Sequence, residues 1–435
     1  MNRLIAVLLL AALMAAARWA PIQELIQVGH RATVSLGFIL VFGYLVGHYS
    51  RVLGLPGITG YILAGILCGP FVGRFLTPPV VSELQLIDDL ALALIAFTAG
   101  GELRIKSLLP RIRSIVGITV SQTAICFLGL AGTVVLLYRW VPALADHPIP
   151  VYAAALVFGL FGVATSPATS VAIIAETRAR GPFTDTVLGV VILKDVLVLV
   201  LITLILPFVQ ILASPGTALD LHLVSDLAWE VGGSLLGGVV LGFLVTFYMR
   251  GVGAVLPCFI VGTSILVVQA ARQLHLEPLL LCMVAGFVIE NATSLGDRFI
   301  AAIERSVLPV YVVFFAIGGA SLDLGALRTT WVLALTLTLV RVFLLTASTA
   351  LGEKAARVRH RGIERRGWMG FIAQAGVTLG LVSIVSRKFP GWGDEVKTIG
   401  LAMIALNQLL GPIAFRWALL RSGEARPAPA LRESV

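Results

Sequence analysis

Apolar runs long enough to cross a membrane recur along the whole chain, separated by short polar or basic breaks. About 20 apolar residues in a helix cross the ~30 Å hydrocarbon layer of a bilayer. Fourteen such runs lie near residues 2–20, 32–49, 57–74, 85–103, 112–138, 150–177, 183–212, 229–249, 252–272, 277–293, 303–322, 330–350, 367–388 and 396–420. They predict an all-α membrane protein. The first run, NRLIAVLLLAALMAAARWA, reads either as a signal peptide or as a retained helix, because Arg3 precedes an apolar stretch rich in small residues. The expected count is therefore 13–14 transmembrane helices. The chain divides into an N-terminal hydrophobic segment over 1–31, a transmembrane domain over 32–421 and a short tail over 422–435. No soluble domain interrupts the runs, and no regulatory nucleotide-binding module is expected.

Composition agrees. Of 435 residues, 58% are hydrophobic and 13% charged, with a mean hydropathy of +0.99. Soluble domains carry roughly 25% charged residues, so this chain has too little polar surface to cover itself in water. The net charge of +9 does not point to nucleic acid, because the basic residues are scattered over short loops and form no contiguous footprint. They cluster instead after the fourth run (Arg104, Lys106, Arg111, Arg113), after the twelfth (Lys354, Arg357, Arg359, Arg361, Arg365, Arg366) and in the tail (Arg421, Arg426, Arg432). Alternating runs place all three clusters on one face, which the positive-inside rule makes cytoplasmic. The loop around Asp220, Asp226 and Glu230 falls on the other face. Cys68, Cys126, Cys258 and Cys282 lie in apolar runs without a CxxC pair and read as free thiols.

Ionisable side chains at membrane depth are costly and are functional candidates by default. Lys194 and Asp195 sit together inside TDTVLGVVILKDVLVLVLITLILPF, and Arg341 lies deep in LALTLTLVRVFLLTAS. The alternative to an ion-binding role for the first two is an internal ion pair with other helices that stabilises the bundle. Arg341, always protonated, suits a durable counter-charge to a buried carboxylate better than a proton carrier.

Two runs carry interruptions at mid-depth. VFGLFGVATSPATSVAIIAET contains Thr165-Ser166-Pro167, and GFIAQAGVTLGLVSIV contains Gln374, Gly376, Thr378 and Gly380. Proline removes a backbone donor and frees a carbonyl. Open backbone at that depth is tolerated only inside protein or along a cavity. The two runs are seven apart, so they cross the membrane in opposite directions. Paired interruptions in inverted halves point to a transporter's midplane site. The same offset sets Asn407-Gln408 opposite Lys194-Asp195, and puts Gln122 and Thr123 on the helix that corresponds to Arg341's.

These motifs resemble a known family. PGITGYILAGILCGP (56–70), AFTAGGEL (96–103), VATSPATS (163–170), VAGFVIEN (284–291), FFAIGGASLDL (314–324) and GFIAQAGVTLGL (370–381) are similar, in order and spacing, to those of the monovalent cation:proton antiporter superfamily, the Kef-like and sodium–proton exchangers. The resemblance covers about 30–420. It implies an inverted-repeat antiporter fold with two crossed discontinuous helices, a homodimer with separate dimerisation and core domains, and elevator-like movement. It also implies that Asp195, second in its polar pair, binds the ion. Arg341 would pair with a carboxylate or steady the core. Lys194 departs from the family's Asp or Asn. Three readings of Lys194 stay open: a neutral amine, a side chain turned away from Asp195 across ~100° of helix, or the mark of a different transported species.

The reading that follows is a bacterial-type inner-membrane secondary transporter, not an enzyme, exchanging Na⁺ or K⁺ for H⁺. Asp195, Thr165 and Ser166 bind the ion or proton, Lys194 and Arg341 modulate charge, and Pro167, Gln374 and Gly376 mark the crossed-helix breaks. No cofactor is expected, and no metal beyond the transported alkali cation. The partners are the two ions, the lipid bilayer and a second copy of the chain. Two rivals stay open: a non-transporting or regulatory membrane protein with the same fold, and a carrier of an anionic or organic substrate that uses Lys194 and Arg341. An intramembrane enzyme is disfavoured. There is no HExxH, and all six His lie at run ends or in loops.

Overall fold

A computed structural model describes residues 28–138, 150–213, 222–252, 255–357, 361–374, 376–389 and 392–425. The first apolar run, Asp220 of the acidic loop and most of the tail lie outside the described residues, so the predicted segment 1–31 is described only from Val28 onward. Every described element is helical. In chain order they are α1 (Val28–Val52), α2 (Gly57–Cys68), α3 (Pro78–Glu83), α4 (Gln85–Glu102), α5 (Ile105–Leu108), α6 (Ile112–Leu137), α7 (Val151–Val163), α8 (Pro167–Thr177) and α9 (Pro182–Ala213). They continue with α10 (His222–Gly251), α11 (Leu256–Gln273), α12 (Pro278–Ala292), α13 (Gly296–Ala320), α14 (Leu324–Ala355), α15 (Arg361–Arg366), α16 (Gly376–Lys388) and α17 (Gly393–Ser422). Short 3-10 turns lead into α6 and, over Gly367–Phe371, follow α15.

Each apolar run from the second onward coincides with one of these helices or with an interrupted pair. Among the described residues, eight spans are long and apolar enough to cross a bilayer, or nine with the bent helix α13. The remaining runs fail that test for evident reasons. α2 and α12 are short apolar helices, α4 carries Asp88, Asp89 and Glu102, and the run over 367–388 is broken. α13 bends by 60° between Gly296–Glu304 and Val307–Ala320. Pro309 lies inside it, and its missing N–H opens the hydrogen-bond ladder there.

The helices pack as two groups. α6, α7, α14, α16 and α17 share one apolar core, joined by α9. α2, α4, α10, α12 and α13 form the other group, with α1 and α3 against α13. α8 bridges the groups, touching α2 and α4 on one side and α9 and α17 on the other. Lipid tails are as apolar as leucine, so membrane helices associate by close packing and favour small residues at contacts. A Cβ on Gly100 or Gly286 would collide with the backbone of the facing helix, at Met283 and Phe97, which fixes the α4–α12 crossing. Gly65 and Gly319 do the same for α2 and α13. Gly117 and Gly352 set α6 against α14, since a Cβ on either would lie 2.7 Å or less from the other helix's backbone.

Basic residues gather at one end of the bundle. There Arg366 donates to the Arg421 carbonyl at 2.6 Å, and Arg104 pairs with Glu290 at 2.8 Å and with Asp297 at 2.6 Å. Glu230 and Glu277 stand at the opposite end, where Glu277 N–H meets the Ser234 hydroxyl at 2.8 Å.

Candidate functional site

Both interrupted runs are open where the sequence pattern places the breaks. α7 ends at Val163, Ala164 turns to an extended ψ of 136°, and Ser166 caps α8 by accepting the Thr169 N–H at 3.2 Å. Pro167 takes the first helical position, where its missing N–H costs nothing. Pro167 thus opens the second half-helix rather than freeing a carbonyl within it. In the other run the 3-10 turn stops at Phe371, Ile372 to Gln374 are non-helical, and Gly376 opens α16. The open segments touch: Ser166 N–H donates to the Ala373 carbonyl at 2.9 Å, and Gln374 Nε2 reaches the Phe161 and Ala164 carbonyls at 2.6 and 3.3 Å. Gly411 of α17 lets Ala373 approach, since a Cβ there would sit 2.7 Å from its backbone. These are crossed discontinuous helices.

Arg341 is fully buried at the crossing. Its Nε donates to Gly162 O at 3.2 Å, and Nη2 donates to Ala164 O at 2.7 Å and Phe371 O at 3.1 Å. Nη1 donates to Ile372 O at 2.8 Å and, more weakly, to Asn407 Oδ1 at 3.4 Å. The expectation of a carboxylate partner for Arg341 is corrected here, because its hydrogen bonds go to carbonyls at the ends of both first half-helices. Each helix C-terminus carries about half a negative charge, so one guanidinium answers two. Asn407 passes the network on by donating to Gln374 Oε1 at 2.8 Å.

Lys194 and Asp195 diverge. Lys194, fully buried, turns to α6 and donates to Gln122 Oε1 at 2.9 Å, with its Nζ 5.8 Å from the Phe371 ring centroid. Gln122 in turn donates to Thr349 Oγ1 at 2.8 Å. Among the described residues, no ion pair joins Lys194 or Asp195 to each other or to another helix. Of the alternatives for Lys194, this geometry matches the one that points it away from the carboxylate.

Asp195 faces α8. Its side chain is 8% exposed, and buried Oδ1 has no hydrogen-bond partner. Thr165 Oγ1 is buried and unpartnered as well. Both border a cavity of about 30 Å³ whose walls include Ser166, Pro167, Ala99 of α4 and Met283 of α12. A water needs roughly 10–15 Å³ of such space, so one water or a bare alkali ion fits. Unpaired buried oxygens are unfavourable alone, and a cation or proton here relieves them. The structure thus gathers Asp195, Thr165, Ser166 and Pro167 at one cavity, and Arg341, Gln374 and the backbone just ahead of Gly376 at the crossing behind it. Lys194 stands apart.

Sequence reasoning missed two carboxylates with backbone partners. Glu424, in the tail, accepts the Phe183 and Thr184 N–H groups at 2.7 and 2.8 Å and so caps α9. Glu176, at the end of α8, accepts the Gly57 N–H at the start of α2. Glu424 also accepts the Thr184 hydroxyl at 2.7 Å. Neither leaves a sequence signal, because the partners are mostly main chain and more than a hundred residues away.

The fold is shared with solved structures of the sodium proton antiporter MjNhaP1 from Methanocaldococcus jannaschii. The structure at pH 8 aligns over 91% of this chain and 99% of that one, with a TM-score of 0.65 and 17% identity. An electron-microscopy structure of the same antiporter covers 90% and 98%, with a TM-score of 0.66 and 18% identity. The family model described as "sodium/hydrogen exchanger, transmembrane" matches residues 4–420, nearly the whole chain. With its helices broken and crossed around a buried arginine, this chain belongs to the sodium/hydrogen exchanger family of membrane transporters, whose class of activity is cation:proton exchange.

Proposed function

We propose that the protein exchanges Na⁺ for H⁺ by alternating access, with Asp195 binding either ion in turn. The observation that carries this is the buried, unpartnered Asp195 Oδ1 beside the unpartnered Thr165 Oγ1 at one cavity. A carboxylate there takes a proton or a cation but not both, and that competition couples the two fluxes. Thr165 and Ser166 complete the oxygen set for a hard alkali ion. Ser166 Oγ accepts the backbone cap and lies 3.0 Å from Thr169 Oγ1; with its hydroxyl donating to Thr169, one lone pair is left for the ion. Sodium is the cation suggested by the family's name, and potassium is the control.

An anionic substrate would need Lys194 or Arg341 at the cavity. Neither is among its lining residues, and the hydrogen bonds of both run to protein oxygens, which favours the cation reading. The same proposal places the protein in the inner membrane as a homodimer, with the arginine-rich end and the C-terminus cytoplasmic. The clustering of Arg104, Arg366 and Arg421 at one end supports that orientation. It treats 32–421 as the transport domain and 422–435 as a tail.

Everted vesicles test it. Sodium added to respiring vesicles should collapse the pH gradient with the wild type and leave it intact with Asp195→Asn. Undiminished exchange in Asp195→Asn overturns the assignment of the site, and flux with potassium but not sodium overturns the choice of ion.

A further inference from the structure

Glu176 occupies the wrong end of its own helix. It lies in the last turn of α8, where the helix dipole repels a carboxylate. It gains nothing there unless a neighbour supplies the positive end, and α2 does: the Gly57 N–H reaches Glu176 Oε1 at 2.8 Å and Oε2 at 3.1 Å. Gly57 opens α2, so both oxygens meet the first orphan donor of a twelve-residue helix. The approach is close enough that any side chain at 57 would crowd it. A Cβ at 57 would stand 3.3 Å from each carboxylate oxygen and 2.8 Å from Arg51 Nε. Arg51 itself donates to the Tyr61 hydroxyl at 3.0 Å, so the guanidinium is held beneath the contact.

The position of this bond matters more than its strength. α8 carries Pro167 and Ala168 of the Asp195 cavity at its first turn and Glu176 at its last. α2 packs on α13, which with α4 and α12 supplies the opposite cavity wall. The cavity lies toward the acidic end, reaching Leu279 in the first turn of α12. Toward the basic end, along the same contact of α4 with α8 and α9, a separate cavity of about 10 Å³ lies between Thr98, Glu102, Val171, Ala175 and Leu188. There the turn between α1 and α2 is gripped twice, by Glu176 at Gly57 and by Arg416 of α17 at the Gly54 carbonyl.

We infer that Glu176 is the latch that closes the basic end of the transport seam: its bond to the Gly57 N–H breaks each time Asp195 is exposed on that side. This rests on the alternating-access reading. Glu176 touches no transported ion and acts as a positioning residue, holding one of two arrangements whose populations set sidedness.

The test uses a Leu188→Cys reporter in a Cys258→Ser background, which removes the exposed native thiol while Cys68, Cys126 and Cys282 stay buried. A membrane-impermeant thiol reagent is applied separately to each side of vesicles. With Glu176 intact, labelling from the basic end should be slow. Glu176→Ala should accelerate it about tenfold or more, the scale of one charge-assisted hydrogen bond. Glu176→Asp keeps the charge but falls one methylene short, and should behave like Glu176→Ala. Glu176→Gln, which keeps an acceptor, should fall between. In transport assays the released variants should gain apparent sodium affinity at the basic end and lose it at the other. Fast labelling in the parent, or equal rates in parent and variants that elute as folded protein, overturns the latch. Absence of all sodium–proton exchange in the wild type overturns the functional reading instead, and the labelling still judges the latch alone.

Discussion

Arg341 holds both open segments through backbone carbonyls, and the strength of that hold is measurable. Arg341→Met removes every donor. Ala164 O keeps Gln374 as a partner, while Gly162, Phe371 and Ile372 lose the bonds they make to the guanidinium. Each orphaned buried carbonyl costs about 1–3 kcal/mol, which gives roughly 3–9 kcal/mol. Interhelical polar contacts measured inside membranes average nearer 0.6 kcal/mol, because the unfolded helices find other partners. On that scale the loss is roughly 2 kcal/mol. The two open segments should differ in finding such partners. Pro167 keeps the first from becoming continuous helix, whereas nothing comparable blocks 372–376. Arg341→Lys keeps the charge with three donors instead of five, and should lie between the wild type and Arg341→Met.

The assay is the folded fraction in detergent after a heating series, read by size-exclusion chromatography, for wild type, Arg341→Lys and Arg341→Met. Adding Asp195→Asn closes a double-mutant cycle. A guanidinium that served as the carboxylate's partner would leave a buried charge when removed, and neutralising Asp195 would then rescue Arg341→Met by more than ~1 kcal/mol. Carbonyl anchoring predicts additivity within about 0.5 kcal/mol. Rescue by Asp195→Asn, or an Arg341→Met protein as heat-resistant as the wild type, refutes the anchoring role.

Two further substitutions probe helix caps. Ser166→Ala removes the cap of α8 at the Thr169 N–H and should cost about 1 kcal/mol of stability. Because Ser166 is also a proposed ligand, its apparent sodium affinity should fall too, and a change in stability alone would remove it from the site. Glu424→Ala uncaps α9 at Phe183 and Thr184 and should lower thermal stability by about 1–2 kcal/mol. Truncation after Ser422 should match it, and a full-length variant as stable as the wild type would show the cap to be idle.

What the sequence revealed and what it hid divide along a physical line. Apolar length, the proline at 167, the glycines near 376 and the charges at 194, 195 and 341 are properties of side chains, and each falls where the pattern placed it. The partner of Arg341 was illegible because carbonyls have no letter in a sequence. A buried arginine therefore suggested a carboxylate, the commonest partner that does have one. Glu176 and Glu424 went unnoticed for a related reason: both accept main-chain N–H groups, 119 and 241 residues away. Lys194 was recognised as the departure from the family pattern, but one residue turns the helix ~100°, and only coordinates show that Gln122 receives it.

That divergence decides how many charges a turnover moves. The two C-terminal half-charges at the crossing are answered by Arg341, so they contribute no net charge to the exchange. On the exchange proposed above, Asp195 trades one sodium for one proton. Lys194 would add a second proton only if it lost its own as sodium bound, which requires a route from its ammonium to the cavity. Its Nζ instead meets Gln122 on α6 and the Phe371 ring, with Thr349 beyond, and Lys194 is not among the cavity's lining residues. The geometry therefore favours one-for-one, electroneutral exchange in which Lys194 keeps the same protonation state throughout. In proteoliposomes, sodium-driven proton flux should be the same with the membrane potential clamped at zero or at either sign. Lys194→Gln should alter stability through the Gln122 contact and leave that indifference intact. Flux that accelerates with potential in the wild type, and loses the dependence in Lys194→Gln, would make Lys194 a second proton carrier and refute the one-for-one reading.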